Sequence, residues 1–168
     1  MKNKLIIAAV VLVGLASVAY AAYSQTLTVN GNANATGDWD VAITSITQTS
    51  ATGATDVTAP TFDATSATFD VNLEYPGATA TYDVVVTNNG NIPAILSSLT
   101  DLTATNAAAP TYITYATSGV TAGTTTIAAG GGTNTMQVTV TWASGSSPDT
   151  SSGNIKPATI TLGYDQNP

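Results

Sequence analysis

Tyr75-Pro76-Gly77-Ala78-Thr79-Ala80-Thr81-Tyr82-Asp83-Val84-Val85-Val86-Thr87-Asn88-Asn89-Gly90-Asn91-Ile92-Pro93-Ala94 decides the fold. A Pro-Gly turn opens it, an alternating strand follows, and a polar Asn/Gly turn leads into the next strand, which reads as one hairpin-like unit. Tyr82, Val84 and Val86 share a face. The same period of two recurs on both sides of this stretch. Trp39, Val41 and Ile43 alternate with Asp40 and Ala42, and Phe69, Val71 and Leu73 with Asp70 and Asn72. Met136, Val138, Val140 and Trp142 alternate with Gln137, Thr139 and Thr141, and Ile160, Leu162 and Tyr164 repeat the pattern. Alternation of this kind sets one face on a core and the other in water, and Thr suits the wet side of a strand.

The alternation predicts strands near Tyr23–Val29, Trp39–Ile46, Thr68–Leu73, Thr79–Thr87, Ala94–Leu99, Tyr112–Ala116, Thr124–Ala128, Asn134–Trp142 and Ala158–Tyr164. Turn chemistry separates them at Gly31-Asn32, Pro76-Gly77, Asn89-Gly90, Gly130-Gly131-Gly132 and Ser144–Asp149. Short strands with frequent turns indicate an all-β fold, a two-sheet β-sandwich of jelly-roll or Greek-key kind. Gln48–Thr58 and Thr103–Pro110 read as long loops, and no helical repeat follows the first twenty or so residues.

Those first residues have a different grammar. Lys2 and Lys4 precede the apolar run Leu5–Ala16, and small residues frame Ala19-Tyr20-Ala21. This is the order of a secretory signal peptide spanning 1–21, with cleavage between Ala21 and Ala22, and it leaves 22–168 as a single β-sandwich domain. The alternative is a retained membrane anchor, since Leu5 to Ala22 approaches the length that spans a bilayer. Cleavage removes two of the three basic residues, and Lys156 alone against ten carboxylates leaves a net charge of −9. Such a surface repels nucleic acid and anionic membranes. The chain has no Cys, so no disulfide staples a secreted fold, and stability rests on a large sheet core or on neighbours.

Catalytic chemistry has little to work with. The chain holds no His, Cys or Arg, which excludes Ser-His-Asp, Cys-His and HExxH arrangements. The reading is therefore not an enzyme, with no catalytic, cofactor or metal residues. Asp38 and Asp40, two apart on an expected strand, read as a solvated pair beside Trp39. Oxygen ligands suffice for calcium, and Asp38 with Asp40, or Asp149 near Asn154, are the candidates, although no EF-hand spacing is present. Lys156 invites an isopeptide bond to an Asn or Asp without any residue pattern to single out a partner. Asn34-Ala35-Thr36 is the glycosylation sequon. Trp39, Trp142, Tyr112 and Tyr115 could form an aromatic platform, though such side chains more often fill a sandwich core.

Two blocks carry a family resemblance. The leader ending in Ala-x-Ala, followed by Ala22–Val29 and a Gly/Asn turn, resembles the mature N-terminus of TasA/camelysin-type surface proteins. The Pro76-Gly77 turn with Asn89-Gly90-Asn91-Ile92-Pro93 is similar to that family's core motif. Low charge and the absence of Arg depart from the lysine-rich bacterial members and are at least as close to archaeal bundling pili. The resemblance implies donor-strand assembly: Ala22–Val29 of one subunit completes a sheet of the next, with Tyr23, Gln25, Leu27 and Val29 inward and Ser24, Thr26 and Thr28 outward. It implies a secreted, cell-surface filament supporting adhesion and biofilm, a head-to-tail homopolymer with lateral bundling that strengthens as salt screens the charge. The membrane is touched only through the leader. The competing reading is a monomeric cell-surface module that binds carbohydrate or acts as an adhesin.

Overall fold

The computed structural model describes residues 28–148 and 154–167. The chain divides into two units, Met1–Ala35 and Thr36–Pro168. Of the first, residues 28–35 are exposed and carry no strand. The expected leader, its cleavage point and most of the expected first strand lie outside the described residues. Val29 is 95% exposed.

The second unit is all-β and its sheets are antiparallel. The described strands are β1 (Val41–Thr52), β2 (Ala54–Phe62), β3 (Ala67–Leu73), β4 (Thr79–Asn88), β5 (Ala94–Leu99), β6 (Ile113–Ser118), β7 (Thr126–Ile127), β8 (Gly132–Trp142) and β9 (Leu162–Gln166). One short helix, α1 (Thr103–Ala107), lies between β5 and β6. Three sheets result: β1-β4-β8-β6, the hairpin β2-β3, and β7-β5-β9.

The four-stranded sheet carries the core. Along β4 every second residue is buried, from Ala80 through Tyr82, Val84 and Val86 to Asn88. In β8 the buried set is Met136, Val138, Val140 and Trp142. Register places Ala80 opposite Val140, Tyr82 opposite Val138 and Val84 opposite Met136. Phe69, Val71 and Leu73 of β3 and Ile160 and Leu162 near β9 pack against this face. The Phe69 and Tyr82 rings stack with centroids 4.2 Å apart. At the Tyr82 hydroxyl, the Asp56 carboxylate accepts from the phenol and from Gln48 Nε2, the latter at 3.0 Å, which ties β4, β2 and β1 together. Burial, and then the Asp56 hydrogen bond, push the Tyr82 phenol well above its ordinary value. The outer face is a ladder of hydroxyls, with Thr81 and Thr139 Oγ1 atoms 3.1 Å apart.

Four expectations change. The stretch quoted first is not a hairpin: β4 pairs with β1 and β8, whereas β5 pairs with β7 and β9, so the Asn/Gly turn hands the chain from one sheet to another. Gln48–Thr58 is not a loop, because β1 runs to Thr52 and β2 starts at Ala54. Gly53 alone joins them at φ +56°, and a Cβ there would lie 2.2 Å from the Tyr75 ring. This left-handed bend lets one nearly continuous extended run serve two sheets. Thr103–Pro110 contains α1, whose first turn is capped from outside: Asp101 Oδ1 accepts from the Thr103 N–H at 2.9 Å and its hydroxyl at 2.6 Å. The strand expected from Trp39 begins at Val41, since the carbonyls of Asp38 and Asp40 are taken by the Asn89–Asn91 turn instead of a ladder.

The turn between β2 and β3 makes a pH prediction. The Asp63 carboxylate accepts from the Thr65 and Ser66 N–H groups, both at 2.8 Å, and from their hydroxyls at 3.1 and 2.8 Å. These bonds, the Thr65 amide first, hold it at about 2 against an ordinary 3.8. Its folded value is depressed, so its stabilisation is present above pH 3.8 and is lost as pH falls through 2. Thermal melts between pH 4 and 2 should show this loss in the native chain, and Asp63→Asn should flatten that part of the profile.

Candidate functional site: an open groove between two strand edges

The chain turns by means of its asparagines. Asn88 is fully buried; its Nδ2 donates to the Ile92 carbonyl at 2.8 Å and its Oδ1 accepts the Gly90 N–H at 3.1 Å. Asn91 reaches the other way. Its Oδ1 accepts the Asp38 N–H and its Nδ2 donates to the Thr36 carbonyl, both at 2.8 Å. A third loop locks in, with the Gly131 N–H on the Asn88 carbonyl at 2.7 Å and the Gly130 N–H on the Gly90 carbonyl at 2.9 Å. The motif Asn88–Pro93 is thus a clasp that fixes Thr36–Asp40 where the second unit begins.

Over the core face lies a cavity of about 1230 Å³. Ile46, Val84, Met136, Val138 and Val140 form its floor. Consecutive residues border it, Ala64–Leu73 on one side and Asn154–Leu162 on the other. In a strand, successive side chains point to opposite faces, so a border of consecutive residues is a strand edge and not a face. The two edges belong to different sheets and share no ladder. They run in opposite directions: Ala64 next to β3 bonds Ile43 at the end where Tyr164 packs, while Leu73 pairs with Ala54 at the far end, near where Tyr115 holds the Lys156 carbonyl. The inward residues of both walls, Phe69, Val71, Leu73, Ile160 and Leu162, are only half-buried.

The other described sheet edges carry features that hinder pairing, each of its own kind. Along β2 the register breaks twice, between Asp56 and Thr58 and again before Thr61, and Pro60 falls in the second break. Pro and bulges at an edge prevent pairing with another chain. β7 is two residues long. β1 has two register breaks. β6 is met at Tyr115 by a side chain: Asn106 Nδ2 donates to the Tyr115 carbonyl at 2.9 Å and Asn106 Oδ1 accepts the Tyr115 N–H at 2.8 Å, as a neighbouring strand would at that position. Ala158–Thr161 was expected in the last strand, yet β9 begins at Leu162. On the β5 side this segment is held through Thr161, whose carbonyl accepts the Thr100 N–H at 3.1 Å.

At one end of the groove Lys156 is buried, with no carboxylate paired to it among the described residues. Its Nζ donates to the carbonyls of Asn106, Ala108 and Pro110 at 3.0, 2.9 and 3.1 Å, which uses all three ammonium donors. Burial pushes the ammonium below its ordinary value. The side chain of Asn106 is occupied by Tyr115, so this pair is not arranged for an isopeptide bond.

The residues singled out from sequence scatter. Ala22, Tyr23, Gln25 and Leu27 lie outside the described residues, as does Asp149. Asn34 is exposed. Asn154 Oδ1 accepts from the Tyr112 hydroxyl at 2.6 Å. Among the described residues no group of three or more carboxylates is gathered for a metal ion. The four aromatics of the expected platform all border the cavity: Tyr112 and Trp142 pair at 5.6 Å, the Tyr115 hydroxyl donates to the Lys156 carbonyl at 2.6 Å, and Trp39 stands 40% exposed. Sequence reading expected an open edge but not which strands border it, because alternation reports which face of a strand is buried and says nothing about a missing neighbour. No family model, curated protein or solved structure matches the chain.

Proposed function

We propose that the protein is a structural subunit of an extracellular filament or bundling pilus of the TasA type, in which Ala22–Val29 of one copy fills the groove of the next. The observation that carries this reading is the pair of open edges on β3 and Ala158–Leu162, facing one another over an apolar floor while the other described edges are hindered. A strand laid between them extends the order to β2-β3-insert-β9-β5-β7, a six-stranded sheet over β1-β4-β8-β6, and gives the jelly-roll-like sandwich its second layer. Seven residues of β3 span about 23 Å and eight residues of the arm about 26 Å, so the lengths agree.

The energetics favour insertion. Burial of Tyr23, Leu27 and Val29 contributes roughly 1.5–3 kcal/mol each, and each main-chain hydrogen bond about 0.5–1.5 kcal/mol. A gross gain on the order of 10 kcal/mol exceeds the lower range of association costs. A head-to-tail contact of this kind does not close and builds a filament. Removal of the signal segment 1–21 exposes the arm after secretion, and the −9 surface keeps filaments apart until salt screens it. The role is mechanical, in cell adhesion and biofilm matrix, without catalysis.

The test is deletion of Ala22–Val29 from the leader-free protein. Negative-stain images of the intact chain should show filaments and the deletion only monomers, which a synthetic Ala22–Val29 peptide should bind. Filaments from the deletion, or an intact chain that stays monomeric with its arm in its own groove, would sink the reading.

A further inference from the structure

We infer that Asn30-Gly31 is a site of spontaneous covalent modification, where asparagine converts to aspartate and isoaspartate through a cyclic imide, and that the fold shields the same dipeptide at Asn89-Gly90. These two are the Asn-Gly pairs of the sequence. The inference does not rest on the assembly proposed above. Asparagine is chemically labile, and a following glycine, with no Cβ in the way, leaves the backbone freest to react. The Gly31 amide nitrogen gives its proton to solvent base and attacks Asn30 Cγ. The new C–N bond closes a five-membered imide, and the carboxamide nitrogen leaves as ammonia. Water then opens one of the two imide C–N bonds. Breaking the bond to Cγ yields aspartate; breaking the bond to the main-chain carbonyl carbon yields isoaspartate, with the chain rerouted through the side chain. Overall, water is consumed and ammonia is released.

Asn30 and Asn89 are both exposed, so accessibility of the side chain does not separate them. The backbone does. Gly31 lies in the exposed stretch 28–35, which carries no strand, and nothing stands within 4 Å of where its Cβ would be. At Gly90 the attacking nitrogen is engaged: its N–H donates to Asn88 Oδ1 at 3.1 Å and to the Asp40 carbonyl at 3.4 Å. The flanking groups are held too, with the Asn89 N–H on the Asp40 carbonyl at 2.8 Å and the Gly90 carbonyl accepting from Gly130 at 2.9 Å. Ring closure requires the Gly90 nitrogen to turn towards Asn89 Cγ, and Gly90 is buried against the Asp38 and Asp40 main chain. Reaction at Asn89 therefore waits for the clasp to open. The product at position 30 adds a carboxylate and, in the iso form, one extra main-chain carbon to the connector between Ala22–Val29 and the clasped Thr36–Asp40.

The test incubates the purified, folded protein at mildly alkaline pH and follows each position by peptide mapping and mass spectrometry that separates asparagine, aspartate and isoaspartate. Position 30 should convert at least about tenfold faster than position 89, whose rate is scaled down by the fraction of time the clasp stands open. In the chain unfolded by denaturant the two should convert within about threefold of one another, because the dipeptide is the same and the clasp is gone. Hydroxylamine, which cleaves the imide, should cut the folded protein after Asn30 and leave Asn89-Gly90 whole, and Asn30→Ser should remove that cut. Equal rates at the two positions in the folded protein, an unreactive position 30, or a difference that persists undiminished in the unfolded chain would overturn the inference.

Discussion

Gly90→Ala is expected to lower the stability of the Thr36–Pro168 unit by about 3 kcal/mol, or roughly 10 °C in Tm. A Cβ at this position would lie 2.5 Å from the Asp38 carbonyl oxygen and 2.7 Å from the Asp40 nitrogen. Both are main-chain atoms, so no flexible side chain can swing away. Relief requires the 88–91 turn to part from Thr36–Asp40, and it takes with it bonds from Asn89 and Asn91 to the Asp40 and Asp38 carbonyls at 2.8 and 3.0 Å. Each such bond contributes about 0.5–1.5 kcal/mol. Gly31→Ala is the control, because nothing lies within 4 Å of its added methyl, and its effect should stay under about 0.5 kcal/mol. Equal melting temperatures for the two variants would refute the clasp.

Lys156→Met is expected to cost about 3 kcal/mol in chemical denaturation, although methionine matches the aliphatic stem. The loss comes from the other side of the contact. Three carbonyls, those of Asn106, Ala108 and Pro110, converge on Nζ within 3.1 Å, and without the ammonium they are left in a site where Lys156 itself is 6% exposed. Unpaired buried acceptors cost about 1–3 kcal/mol each, reduced where the loop relaxes toward water. Lys156→Arg should not rescue the variant, because a larger planar fork cannot bring three donors onto carbonyls that converge on one nitrogen. An arginine variant as stable as the parent would show that charge, and not this geometry, holds the loop.

The buried centre of the fold was legible from residue order, and its periphery was not. In β4 and β8, Val, Tyr, Met and Trp alternate with Thr and Asp, and there expectation and structure differ by a residue or two at the ends. In β2 the run Ala54–Phe62 holds Thr55, Asp56, Thr58 and Pro60 with few apolar residues, because an edge strand with little to bury has no need to alternate. The bend at Gly53 was invisible for a related reason: a single glycine between two extended runs reads as a loop. α1 has five residues, fewer than a helical period needs to declare itself. For the groove, the residue order has the alternation Ala158-Thr159-Ile160-Thr161-Leu162 of a strand, and in the structure the strand begins only at Leu162.

The Asn106 side chain that meets β6 at Tyr115, the Pro60 break in β2 and the brevity of β7 have a joint consequence for growth. With these described margins hindered, one vacancy remains among the described residues, and the arm expected of Ala22–Val29 is its one counterpart. Under the proposed assembly the valence of each molecule is therefore two, one of each kind, and the polymer can lengthen but has no means to fork.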